Sequence, residues 1–537
     1  MDDCDYIIVG AGSAGSVLAE RLSASGKHRV TVLEAGGSDR RFFVNLPLGY
    51  GKLFYDPNVN WMYQTEPDPG LAGNRDHWPR GKILGGSSSI NAMVWIRGNK
   101  ADYQAWGAEN PGWGWEECLA AYRAIEDTEA GADGFRGKGG PLFISENRKG
   151  LHWLVDDYIK ACGQAGLPYN PDFNGAVQEG AGTYQMTIKG ARRNSTARAF
   201  LRPAMRRKNL SVLTHAQVTR VIFEGKRAVG VEYLKDGKRQ ELRAKAEVIL
   251  AGGAINSPQI LQLSGVGPAA LLAEHRIPVV MANENVGAHL SDHQGINYTW
   301  RMKVATYNDI LRPWWGKLFV GMQYVLTGGG PLAKSINHGG GFFRTRPDLA
   351  RPNMQLYFQA FSTLLPRAGE RPLLTPDPFS GLSIGLSNCN PTSRGSIRIK
   401  SRDPFEAPQI IANAFSTQED VTEMLEAVKF LRHIAAQPAF AQHVAEELRP
   451  GPEVQSDADL IADFRARSGT VYHPSCTARM GRDAAGSVVD ARCRVHGVQG
   501  LRVIDASAFP SLIAGNTNAP SILMGWKGAE MVLADAR

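Results

Sequence analysis

Apolar and polar positions along this chain fall into distinct regimes. Asp5-Tyr6-Ile7-Ile8-Val9 is a nearly continuous apolar run closed by glycine, the pattern of a strand buried on both faces of a parallel sheet. Ala14 to Leu22 then carries apolar residues at helical spacing, with Val17, Leu18 and Leu22 on one side, and Arg29 to Glu34 reads as the next strand. Strand, helix and strand in that order predict a βαβ unit. Alternation of apolar and polar residues covers Leu210 to Leu242 and includes Asp236-Gly237, a hairpin signal. Ala246 to Leu250 is again continuous strand, and Ser257-Pro258 behind it reads as a helix N-cap followed by proline at the first helical position. Alternation returns from about Asn297 to Arg402 in short, aromatic-rich runs that predict an antiparallel sheet. Helical periodicity is clearest over Asp420 to Ala436 and over Pro520 to Ala534, the latter preceded by a strand from Leu501 to Ile504. Between the opening unit and about Leu151 no long periodic element stands out.

These elements predict an α/β protein of two domains. A first, parallel-sheet domain is assembled from residues 1–155, 200–295 and 460–537. A substrate domain, an antiparallel sheet with helices, takes 156–199 and 296–459. A length of 537 residues supports the division, because single cores stop growing well below it.

Composition narrows the chemistry. The net charge of +8 is spread along the chain, with no basic stretch interleaved with aromatics, so nucleic acid is not an expected partner. Six cysteines lie far apart, without CxxC or zinc spacing, which reads as free thiols in a reducing compartment and no metal site. No apolar run approaches the roughly 20 residues of a membrane span. The first strand begins too early to leave room for a signal peptide. A cytoplasmic protein is expected, with peripheral membrane contact left open.

Two motifs at opposite ends carry the candidate function. In Gly10-Ala11-Gly12-Ser13-Ala14-Gly15, Gly10 suits a tight turn, Gly12 a close approach of backbone to a pyrophosphate and Gly15 close helix packing. Glu34 closes the next strand, where an acid accepts from ribose hydroxyls and would repel the extra phosphate of NADP. FAD and NAD both fit. A second loop, Arg80 to Asn91, packs paired glycines and three serines into a short donor-rich segment, although a surface loop could read the same way. Near the carboxyl end stand His473-Pro474-Ser475-Cys476-Thr477 and Asn516-Thr517-Asn518-Ala519-Pro520. A histidine beside an amide suits proton transfer near neutrality. A lone histidine is nevertheless more often a structural hydrogen-bonding residue than a catalyst.

With Gly81 to Asn91, Gly253 to Gly267, Val471 to Thr477 and Asp505 to Pro520 in this order, the whole chain resembles the glucose–methanol–choline family of flavin-dependent oxidoreductases, most closely its bacterial choline-dehydrogenase-like branch. The resemblance implies FAD, with Gly10, Gly12, Gly15 and Glu34 around the ADP half and Trp61 and Val218 near adenine. It also implies Gly86, Ser87, Asn91 and Val94 along the flavin, and Asp505 and Ala506 beside the pyrophosphate and ribityl chain. Ile90 stands where some relatives attach FAD through a histidine, so a non-covalent cofactor is expected. His473 is the implied base and Asn518 its implied partner, Asn516 being taken as structural or cofactor-facing. Together they imply oxidation of an alcohol to the aldehyde by hydride transfer to flavin N5, with oxygen or a quinone-type molecule as electron acceptor. His338 falls where choline-specific relatives carry an acid, which disfavours choline. Trp314, Trp315, Phe319, Tyr324, Tyr357, Phe358 and Phe361 are core residues or, for a few of them, walls of an apolar pocket for primary aryl or medium-chain alcohols. Choline dehydrogenase proper, a flavin-bearing lyase or decarboxylase, and an inactive flavin-binding module are the alternatives.

Overall fold

The opening βαβ unit forms as its pattern predicts. In the computed structural model, which describes residues 4–364 and 375–536, Cys4–Val9 pairs in parallel with Val30–Leu33 across helix Ser13–Ser23. Gly10 turns the chain at φ +100°, and a Cβ on Gly15 would lie 1.9 Å from the Gly10 carbonyl oxygen. Only glycine at both positions lets the helix sit this close to the strand end. Leu210–Leu213 extends the sheet on one side, and Lys238–Leu250 pairs with Cys4–Val9 on the other.

The strand Lys238–Leu250 joins two patterns that look separate in the sequence. Its second half lies in the parallel sheet, and Leu501–Val503 pairs in parallel beyond it. Its first half pairs antiparallel with Arg227–Lys235, through a turn in which Asp236 and Gly237 take φ of 52° and 72°. Both left-handed values are those that a two-residue hairpin turn demands.

Helix Gly253–Leu263 corrects the reading of Ser257-Pro258 as a helix start: the helix begins five residues earlier, with Gly252 at its N-cap, and Pro258 lies inside it. Proline cannot donate to the carbonyl one turn back, that of Ala254. The Thr477 hydroxyl donates to that oxygen instead, at 2.6 Å. The exception to helix chemistry thus becomes an anchor for the His473 loop.

A second sheet runs in the order Val444–Arg449, Gln294–Met302, Gly381–Asn388, Met354–Gln359, Gly339–Phe343 and Gly180–Thr183, all antiparallel. Gly469–Thr470 joins it against Gln294 and Gly295, which sets the residues just before His473 beside those just after His293. Each sheet carries its own buried apolar core.

Some helices depart from the expected pattern. Lys100–Glu109 and Trp115–Ile125 lie in the stretch that showed no long periodicity. The first has a capping box, Asn99 with Asp102, which is a local signal for its start. Trp314–Thr327 replaces part of the antiparallel run expected over Asn297 to Arg402, of which residues 365–374 lie outside the described residues. Its apolar residues surround the helix so fully that no helical period emerges, although Pro313 before it and Gly328 after it mark its ends.

Candidate active site

One cavity of about 1360 Å³ connects the two ends of the chain. It exceeds the roughly 300–1,000 Å³ usual for a single small ligand, leaving room for a dinucleotide and a second molecule. Gly10, Gly12, Glu34, Trp61, Gly86, Ser87, Asn91, Val94, Val218, Asp505 and Ala506 line it, as do His473, Asn516 and Asn518. Gly15 does not; it serves the helix packing described above.

The nucleotide end fits a flavin dinucleotide. Helices Ser13–Ser23 and Asn518–Asp535 both begin at the cavity wall, and helix N-termini attract anionic groups. The Arg80–Asn91 loop presses on the fingerprint so closely that a Cβ on Gly86 would lie 2.7 Å from the Gly12 Cα. Trp61 stacks on Tyr63 with rings 4° from parallel, and its other partner is the Lys82 ammonium, 4.5 Å from the ring centre. The Glu34 carboxylate accepts from the amides of Ala11 and Gly36, each at 2.8 Å, and burial pushes its pKa up to about 7. Asp505 accepts from Gly253 N, Ser257 Oγ, Ser507 N and Ser507 Oγ, so both its oxygens hold loops in place.

At the other end His473 is clamped from several directions. Its amide donates to Asp292 Oδ1 at 2.8 Å, while an Arg80 guanidinium nitrogen donates to the Tyr472 carbonyl at 2.6 Å. Tyr472 and Cys476 both adopt left-handed φ, 72° and 70°. Such conformations cost on the order of 1 kcal/mol or more each and persist only where the surroundings enforce them.

The hydrogen bonds also set the tautomer of His473. His293 Nε2 lies 2.8 Å from the Cys389 carbonyl oxygen, which can only accept, so Nε2 carries the proton of the neutral ring. His293 Nδ1 is then an acceptor, and the His473 Nδ1 that faces it at 2.9 Å must donate. The lone pair of His473 is thereby left on Nε2, which faces the cavity and the Asn516 amide nitrogen at 3.2 Å. Gln355 Nε2 donates to Asn516 Oδ1 at 3.2 Å, and Gln355 Oε1 accepts from the Tyr357 hydroxyl, so the amide orientations agree along the row. Burial, with His293 and the Arg80 guanidinium nearby, holds His473 well below the ordinary imidazole range. The neutral ring thus holds its Nε2 lone pair at the cavity wall, with the Asn516 amide donating to it.

The partner of His473 differs from the one expected. Asn518 is the first residue of its helix, and its side-chain oxygen accepts from Ser13 Oγ at 2.8 Å, on the fingerprint side. Asn516, in the loop two residues earlier, is the amide in contact with His473. Pro520 carried a usable signal, because proline favours the first turn of a helix and so places Asn516 outside it. His293, Gln355 and Asp292 were not singled out in the sequence; His293 lies 180 positions from His473 and only the sheet register brings them together.

The structure also places His338 and the aromatic residues. His338 is buried, its Nδ1 accepts from the His152 amide, and the cavity is lined instead by its loop neighbours Ile336 and Asn337. Of the seven aromatics, Tyr357 and Phe361 line the cavity, Phe358 is core, and Trp314, Trp315, Phe319 and Tyr324 lie on the helix Trp314–Thr327.

A dinucleotide fold whose cavity ends at a neutral, oriented histidine defines a nucleotide-dependent oxidoreductase. Family models described as GMC oxidoreductase match residues 4–295 and 391–525, and the chain belongs to that family. It is similar to an alcohol dehydrogenase [acceptor] of Pseudomonas putida, 42% identical over 98% of this chain and 95% of that one. Mitochondrial choline dehydrogenase of Mus musculus is 40% identical over 99% of this chain and 89% of its own. Among solved structures, pyridoxine 4-oxidase from Mesorbium loti superposes with a TM-score of 0.88 at 30% identity, covering 98% and 99% of the two chains.

Proposed function

We propose that the protein oxidises a primary alcohol, aryl or medium-chain aliphatic, to its aldehyde with a non-covalently held FAD. The observation that carries this reading is the His473 Nε2 lone pair at the cavity wall, where the Asn516 amide donates to it until a substrate hydroxyl takes that place. The substrate hydroxyl sits between them; His473 Nε2 takes its proton while the Asn516 amide donates to the oxygen as charge develops on it. A bound FAD supplies the hydride acceptor for the carbon that bears that oxygen. Tyr357, Phe361, Ile336, Leu364 and Leu386 offer apolar wall for the rest of the substrate.

A cationic alcohol such as choline is disfavoured on new grounds. The carboxylates lining the cavity, among the described residues, are Glu34, Asp76, Asp463 and Asp505. Burial pushes the Asp76 pKa up to about 7, which weakens it as a fixed anion, and Asp463 is paired with Arg467. Glu34 and Asp505 are engaged at the nucleotide end. The six cysteines are all unpaired and buried, which supports a reducing compartment.

Anaerobic titration with a panel of aryl, aliphatic and quaternary-ammonium alcohols tests the proposal. Bleaching of the yellow flavin by the aryl or aliphatic members is the expected result. No bleaching by any alcohol would point to a lyase, a decarboxylase or an inactive module, and bleaching by choline alone would remove the substrate assignment. Running the active alcohols in air, with peroxide detection beside a dye acceptor, separates oxygen from a quinone-type acceptor. Acid precipitation should release all the flavin into the supernatant, because Ile90 offers no atom for a covalent bond; flavin fluorescence on a denaturing gel would contradict this.

A further inference from the structure

Helix Trp314–Thr327 is inside out for a helix in water. Trp314, Leu318 and Val325 recur at i, i+4 and i+11, and Trp315, Phe319, Met322 and Leu326 form the adjoining stripe. All seven are exposed, from 48% for Met322 to 81% for Leu326. The residues turned inward are Gly316 and Val320, with Gln323 and Tyr324 half-buried. By helical geometry the outer arc spans roughly 140° without a charged side chain. Isolated exposed apolar residues are ordinary, but a contiguous face of this kind marks a docking surface.

The face continues beyond the helix. Tyr324 Oη donates to the Ala191 carbonyl on the hairpin Ile188–Arg193, and Arg193 of that hairpin donates to Val44 O in the short helix Phe42–Asn45. Phe42 and Phe43 there are 68% and 39% exposed. Around these apolar residues stand the exposed basic side chains of Arg40, Arg41, Lys52, Arg192 and Lys317. None of them is ion-paired among the described residues, and the neighbouring Asp39 is taken by Arg202 at 2.8 Å.

We propose that this face seats on the surface of a bilayer rich in anionic lipid. Charge decides between the two obvious occupants. A second copy pairing through the same face would set one basic rim against the other, which repels. An anionic headgroup layer complements the rim, while tryptophan, phenylalanine and leucine enter the boundary below it. The helix has 14 residues, short of the roughly 20 a span requires, and no described helix is long and apolar enough to cross a membrane. The helix therefore lies on the membrane rather than through it.

Co-sedimentation of the flavin-loaded full chain with vesicles tests this. Wild type should pellet with phosphatidylglycerol–phosphatidylcholine vesicles, bind pure phosphatidylcholine far less and dissociate as salt is raised. Arg41→Glu with Lys317→Glu should weaken binding by about fivefold per basic charge removed. Trp314→Ser with Leu318→Ser and Val325→Ser should abolish it, with melting temperature and flavin content unchanged because these side chains face outward. Phe405→Ser, exposed but outside the face, should bind as wild type does. Failure of wild type to bind phosphatidylglycerol vesicles, or binding that ignores both sets of substitutions, overturns the proposal. So does a wild-type dimer, in sedimentation velocity, that the triple substitution dissolves without any vesicle binding.

Discussion

Replacing His473 with asparagine is expected to slow anaerobic flavin bleaching by a saturating alcohol about 10³-fold, within the 10²–10⁴ that a positioned general base supplies. Asparagine retains a side chain that can hydrogen-bond His293 but no group able to accept the substrate proton. The loss should fall on the reduction rate constant, with little change in the alcohol concentration giving half-saturation. The pH profile gives an independent check. A base works unprotonated, and the His473 pKa is lowered by burial, His293 and Arg80. Lowering the pKa extends the unprotonated range toward acid, so the wild-type rate constant should stay level through the ordinary imidazole value of about 6.5 and fall only below it. The asparagine variant should lose that acid limb. A wild-type decline centred at or above about 6.5, or a variant with near-normal bleaching, would refute the role of His473.

Asn516→Ala is expected to reduce the same rate constant by about 10²–10³, the effect of deleting one donor to a developing oxyanion. It also leaves the Gln355 amide without its acceptor. Asn518→Ala should change the rate constant by less than about tenfold, because its side chain accepts from Ser13 rather than contacting His473. Its loss should appear as weaker flavin retention, read from the absorbance left after gel filtration. The reverse order, with Asn518→Ala the slower enzyme, would restore the pairing implied by family resemblance alone.

The contrast between these two asparagines shows where sequence reading ends. Both belong to one short segment with the same side chain; Pro520 marks the helix start between them, but nothing in the motif says which of the two meets His473. The boundary of the helix at Asn518 separates them, because a residue in its first turn points back to the Ser13 helix while the loop residue ahead of it crosses to the second sheet. His338 shows a related limit: family resemblance aligned it with a substrate-facing acid of choline-specific relatives, whereas here it packs in the core against His152 and Tyr307.

His473 and the Arg80–Asn91 loop were singled out by family resemblance, whereas local patterns were sufficient for the nucleotide unit, its glycine fingerprint and the Asp236-Gly237 hairpin. Those signals are short-range: a turn conformation, a periodicity of two or 3.6, a fingerprint whose glycines answer to backbone sterics. Tertiary structure decided the His293–His473–Asn516 row, the filling of the Ala254 carbonyl by Thr477 and the outward apolar face of Trp314–Thr327. Each of these depends on groups far apart in the chain meeting at hydrogen-bond distance, or on which side of a helix a neighbouring element covers. Sheet register and packing determine both, and no local run of residues encodes either.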